Sequence, residues 1–265
     1  MKIKSKASWI YIAVLTIIMY IPIILTVVYS FNASKITSVW EGFSWKWYAQ
    51  LFKNDDLMEA LRNSLVLAVL SCLAAVVIGT TGAIGMQKRK NRINDVVANI
   101  SLMPLMIPEI ILGMVFLAAF SFMNLPFGML TLVIAHTTFC VPYVFMTVRA
   151  RLAGMDPSIE EAARDLGASA NQIFWGITMP SVMPAILSGA LLSFAMSFDD
   201  VVISMFVTGA SVNTLPIKIY SSMKTGVTPE INALATILLL VTITVILLSA
   251  LIKRLMEKRR VAIME

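Results

Sequence analysis

"ARLAGMDPSIEEAARDLGASANQIFWGITMPSV", residues 150–182, is a polar interlude between two strongly apolar runs. Asp156 offers a capping oxygen and Pro157 stands at the first helical position, a combination that starts helices. "SIEEAARDL" supplies good helix formers, and Gly167 is placed to end them. Ser169 and Gln172 then have the spacing of a capping box that opens a second short helix. Pro180 is expected to stop that second helix, because it lacks the amide the next turn requires. The segment therefore predicts two short helices meeting at a glycine.

Outward from this segment the chain is built for lipid. Of its 265 residues 58% are hydrophobic and only 14% charged, where soluble domains carry about 25% charged residues. The apolar residues fall in runs of roughly 20, enough to cross a hydrocarbon core of about 30 Å. Six such spans are expected, near 9–30, 64–86, 96–122, 127–149, 183–207 and 231–252. The fold class is an all-α polytopic membrane protein, one transmembrane domain over 1–265, with a tight turn at 123–126. "MKIKSK" is a basic start, but the apolar stretch from Trp9 to Tyr29 exceeds the roughly 7–15 residues of a signal peptide, so a retained first span is expected.

Positive charge orients the spans, since lysine and arginine stay on the cytoplasmic side. With the N-terminus inside, the inner segments hold the basic residues of 2–6, 88–92, 149–164 and 253–260. These are 15 of the chain's 21 lysines and arginines, against 6 outside. Both termini and the 150–182 segment are thereby expected in the cytoplasm, and the 31–63 loop outside. The net charge of +6 is accounted for by this asymmetry and implies no nucleic acid. Cys72 and Cys140 lie inside apolar runs and read as small buried hydrophobes.

A few ionisable residues interrupt the apolar runs. "SFAMSFDDVVISMF" (193–206) places Asp199 and Asp200 in a span, where an ionised carboxylate costs about 2.5–3.5 kcal/mol on insertion scales. If one helix covers 183–207, then Gly189, Ser193, Ser197, Asp200, Ser204 and Thr208 share a face. Asp199 then points about 100° away. Asp200, Ser197 and Ser204 are assigned to a polar path, and Asp199 to a neighbouring chain or a hydroxyl, though the two roles are exchangeable. The competing reading is structural: acids satisfied by hydroxyls or by a partner chain. Glu109 in "MPLMIPEIILGM" (103–114) is a further path candidate, behind a proline that kinks the third span. His136 reads as an interhelical hydrogen-bonding residue, with no metal cluster around it. Trp40, Trp45, Trp47 and Tyr48 read as an interfacial belt. Glu230 reads as cap or path.

Glu161-Ala162-Ala163, then Gly167 after three residues, then Ile177 and Pro180, resembles the EAA loop of the membrane subunits of bacterial ABC importers; Met179 stands where leucine is commoner. The resemblance implies the type I importer permease fold and makes the loop a coupling helix that enters a groove on a separate ATPase. "GFSWKWYAQLF", "SFDDVVISMFVTGA" and "LPIKIYSSMKTGVTPEINALATILL" look like the polyamine (spermidine/putrescine) permease subunits of that family. The implied partners are an ATP-binding subunit dimer, a homologous second permease, an extracytoplasmic polyamine-binding protein and the bilayer of the bacterial cytoplasmic (inner) membrane. ATP and magnesium would be bound by the partner ATPase. No G-x-x-x-x-G-K-[ST] occurs here, and "GTTGAIGMQK" (79–88) lacks the Gly-Lys pair, so no cofactor or metal is expected in this chain.

Two alternatives keep or change the class. The same architecture could carry another small solute, although sulfate or phosphate fits poorly beside unpaired carboxylates. A proton-coupled secondary transporter would relay protons through Asp199 or Asp200 but leaves the EAA-like loop unexplained. An intramembrane hydrolase lacks H-E-x-x-H and G-x-S-x-G.

Overall fold

The computed structural model describes residues 6–35, 39–87, 92–210, 212–225, 228–244 and 247. Its helices are α1 (Lys6–Ser30), α2 (Lys46–Leu51), α3 (Asp55–Gln87), α4 (Arg92–Leu102), α5 (Glu109–Phe122) and α6 (Met129–Ala153). They continue with α7 (Pro157–Asp165), α8 (Ala170–Ile173), α9 (Met179–Asp199), α10 (Val202–Val207), α11 (Leu215–Thr225) and α12 (Pro229–Thr244). Among the described residues no strand forms; Asn32 and Phe43 make one isolated antiparallel bridge.

The chain divides into two compact units, Met1–Met58 with Ser221–Glu265, and Glu59–Tyr220. The second is organised around α6 and α9. Leu132, Ala135, Cys140, Val144 and Val148 of α6 are buried, as are Val182 and Ile186 of α9. Lipid tails are as apolar as leucine, so helices in a bilayer associate through close backbone approach rather than hydrophobic transfer. Gly189 provides that approach: a Cβ there would lie 2.9 Å from the Cα of Val144. The turn before α6 is as tight as expected. Asn124 takes a left-handed conformation (φ 54°), and the Leu125 amide donates to the Phe120 carbonyl at 2.9 Å.

In the first unit Asn32 is a hub, donating to the Val39 carbonyl at 2.6 Å and accepting from the Glu41 amide at 3.0 Å. Trp47 is buried beneath it, its indole N–H donating to the Asn32 carbonyl at 2.6 Å. Trp47 therefore does not belong to the expected aromatic belt, whereas Trp40 and Trp45 are exposed. Glu230 is buried at the start of α12 and accepts from the Asn54 side chain at 2.8 Å.

Among the described residues, four helical stretches are long and apolar enough to span a bilayer: Ser8–Ser30, Asp55–Gln87, Met129–Ala153 and Ala170–Asp199. The expected third span is instead a pair, Val96–Leu105 and Glu109–Phe122, bent by 107°. Pro108 is the cause; it sits extended at ψ 134°, and with Pro104 it removes two amides the helix would have used. The expected fifth span, 183–207, is also broken, at Asp200 and Val201. Of the expected sixth span, residues 245–246 and 248–252 lie outside the described residues.

Candidate functional site

The 150–182 loop folds largely as its residues dictate. The Asp156 carboxylate accepts the Ser158 amide at 3.0 Å. That bond to the charged form holds its carboxyl below the usual carboxylate range. Gly167 adopts φ 83°, a conformation glycine reaches without a Cβ penalty. Its amide bonds Arg164 at 2.9 Å while Ala168 bonds Ala163 at 3.0 Å, the paired closure that satisfies a helix C-terminus. Ser169 and Gln172 cap α8 reciprocally, at 2.8 and 3.4 Å.

Pro180 departs from expectation: the second helix does not stop there. Residues Phe174–Thr178 widen into a π turn and run straight into α9, with Pro180 in its first turn. The local repeat before Pro180 is thus i to i+5 rather than i to i+4, which relieves the usual clash between a proline ring and the carbonyl four residues back. The Thr178 hydroxyl donates to Glu160 at 2.8 Å, tying α7 to this wide turn. Of the EAA positions, Glu161, Ala162, Gly167 and Pro180 are exposed, and Ala163 and Ile177 are half-buried. Sequence reasoning overlooked the apolar tips around them. Ile159, Leu166 and Trp175 are 52, 90 and 62% exposed. A recess of about 480 Å³ is lined by Glu160, Glu161, Arg164, Gln87 and Leu152.

The break between α9 and α10 reorganises the aspartate pair. Asp200 leaves the helix at ψ 125°, and its carboxylate turns onto the first amides of α10. It accepts from Ile203 at 3.2 Å and from Ser204 at 2.8 Å. His136 of α6 closes the other side. Its Nδ1 lies 2.8 Å from the Ser197 hydroxyl, and its Nε2 lies 3.0 Å from the Ser204 hydroxyl and 3.4 Å from Asp200. His136 is fully buried and the Asp200 side chain is 6% exposed, while Asp199 is exposed. The two acids thus differ in burial and not only in angle, because the backbone breaks at Asp200 where one uninterrupted helix is expected. Ser197 and Ser204 are buried and face His136 rather than an open path. Glu109 is exposed at the start of α5, immediately after the 107° bend. Among the described residues no group of three or more histidine, cysteine or acidic side chains is placed to hold a metal ion.

Residues 75–261 match the family described as "Binding-protein-dependent transport system inner membrane component". The chain belongs to this family. It is 44% identical over 236 residues to the spermidine/putrescine transport system permease protein PotC of Escherichia coli K12, covering 89% of each chain. The corresponding Haemophilus influenzae protein is 43% identical over 236 residues, covering 89% of this chain and 92% of that one. The putrescine transport system permease protein PotI of E. coli K12 is 43% identical over 228 residues, covering 83% of this chain and 81% of its own length. Among solved structures, a bacterial ABC transporter that imports the acidic polysaccharide alginate superposes with TM-score 0.70 at 16% identity, covering 96% of this chain and 99% of that chain. The MetNI methionine ABC transporter superposes with TM-score 0.61 at 18% identity, over 73% of this chain and 92% of that chain. At those identities the likeness concerns the fold, that of ABC importer permeases. This family member is an integral inner membrane protein.

Proposed function

We propose that this chain is the permease subunit of an ATP-driven importer of polyamines, spermidine and putrescine being the cargo class. The observation that carries the reading is identity of 43–44% to polyamine permeases over most of the chain, joined to carboxylates exposed on apolar elements. Asp199 ends α9 and Glu109 begins α5, both exposed. An exposed carboxylate on a membrane helix is poorly matched to lipid and well matched to a polycation. The expected path residues Asp200, Ser197 and Ser204 are instead taken up with His136 at the helix break.

In this reading both termini and the 150–182 loop lie in the cytoplasm. The loop enters an ATP-binding subunit dimer, which binds ATP and magnesium and performs the hydrolysis. Glu161 supplies charge for a basic partner group, while exposed Ile159, Leu166 and Trp175 supply apolar contact of the kind that marks interaction surfaces. A homologous second permease completes the membrane domain, and an extracytoplasmic polyamine-binding protein delivers the cargo. The solved alginate importer was crystallised in complex with a periplasmic protein carrying alginate pentasaccharide, an arrangement of the same kind.

The test is cargo-stimulated ATP hydrolysis by the complex reconstituted in lipid with its binding protein. Spermidine and putrescine should stimulate it, and sulfate, methionine and oligosaccharides should not. Stimulation by one of the latter, with polyamines inert, overturns the cargo assignment.

A further inference from the structure

We infer that His136 is a positioning residue that divides the aspartate pair, locking Asp200 into the α9–α10 break and leaving Asp199 as the carboxylate presented to the cargo. The inference rests on the proposed polyamine path and assigns its residues unequal roles. Both nitrogens of the buried His136 ring are engaged, one by Ser197 on α9, the other by Ser204 and Asp200 at the start of α10. The ring has no face left for a ligand, so its use is to staple the two halves of the broken helix to α6. Asp200 is equally committed. Its two oxygens accept the amides of Ile203 and Ser204 and face the imidazole. Hydrogen bonds to a charged group are the strong ones, which makes this carboxylate a fixture of the fold.

Asp199 differs in each respect. It is exposed and takes part in neither ion pair found among the described residues. An exposed carboxylate ending a membrane helix is the chemistry that binds an alkylammonium group, by charge and hydrogen bond. Had the helix continued unbroken, Asp199 and Asp200 would have differed only in angle. The His136 staple makes them differ in kind.

The test uses the assembled complex in two arms. In the first, ATP-driven uptake of radiolabelled spermidine is measured for Asp199→Asn and Asp200→Asn. Asp199→Asn should raise KM about tenfold, the loss of one charge-assisted contact, with ATPase activity retained. Asp200→Asn should leave KM within about twofold, because the amide oxygen still accepts an α10 N–H. In the second arm, Asp199→Cys or Asp200→Cys is introduced with Cys72→Ala and Cys140→Ala, and labelling by a charged, water-soluble thiol reagent is timed. Position 199 should label rapidly and position 200 slowly. Adding His136→Ala should speed labelling at 200, whereas adding His136→Gln, which retains a donor and an acceptor, should keep it slow. Equal labelling at both positions without a His136 change, or an Asp200→Asn KM as high as that of Asp199→Asn, overturns the inference. If the wild-type complex moves no polyamine, the proposed function fails, and the labelling rates decide the staple on their own.

Discussion

At Gly189 the absence of a side chain decides how two helices meet. A Cβ would come within 2.9 Å of the Val144 Cα and 3.5 Å of its Cβ, so α6 and α9 would have to part. Gly189→Val should destabilise the protein by about 1–3 kcal/mol, the usual range for overpacking. Gly85→Ala, which meets nothing within 4 Å, should be near neutral. Thermal unfolding of the purified complex checks both, and equal effects would contradict the close-approach argument. Asp156 offers a pH test. Its folded pKa is depressed by the bond from the Ser158 amide, so its capping contribution is present above the unfolded aspartate value. The contribution disappears as pH falls through the lower, folded value. Amide exchange in α7 should therefore accelerate on acidification more in wild type than in Asp156→Asn, which caps without titrating. Identical pH profiles would count against it. Residues such as these were legible in the sequence because their work is local: cap, turn and capping box are specified by neighbours. His136 was legible as an interhelical bonding residue but not by partner, since Ser197 and Ser204 lie 61 and 68 residues away.

One helix ends where periodicity gives no warning, and another continues where a proline seemed to forbid it. Apolar content runs without pause through 183–207, so composition cannot reveal that the backbone at Asp200 turns extended. The break becomes readable only once the carboxylate is seen taking the α10 amides. Pro180 shows the opposite case: its helix-stopping tendency is local, but a wide turn over Phe174–Thr178, bonded through Thr178 to Glu160, carries the helix past it. At the glycine between α7 and α8, by contrast, the expectation and the structure coincide. Gly167→Val should strain that junction by about 1–2 kcal/mol, because φ 83° is unfavourable to a β-branched residue. The proposed coupling role adds a functional expectation. Gly167→Val and Glu161→Lys should both insert in the membrane normally yet reduce ATPase co-purification and uptake together. Normal uptake by Glu161→Lys would remove this helix from the coupling interface.

For the whole molecule, composition and run length already dictated a helical membrane protein, because the bilayer leaves few alternatives for satisfying backbone polar groups. The bend of 107° between the halves of the third span was anticipated only as a kink, since a proline marks the position of a disturbance and neighbouring packing sets its size. The exposed apolar tips of the 150–182 loop are a surface that one chain leaves uncovered, in keeping with a subunit that works in company. Under the proposed function, polyamines cross the membrane beside this chain at the expense of ATP hydrolysed by a partner subunit. The direct measurement is uptake of radiolabelled spermidine into proteoliposomes holding the whole complex with its binding protein outside. ATP would be enclosed, replaced by a non-hydrolysable analogue, or replaced by an imposed proton gradient. Accumulation should occur with enclosed ATP alone. Accumulation driven by the proton gradient without ATP would contradict it and point to a secondary transporter.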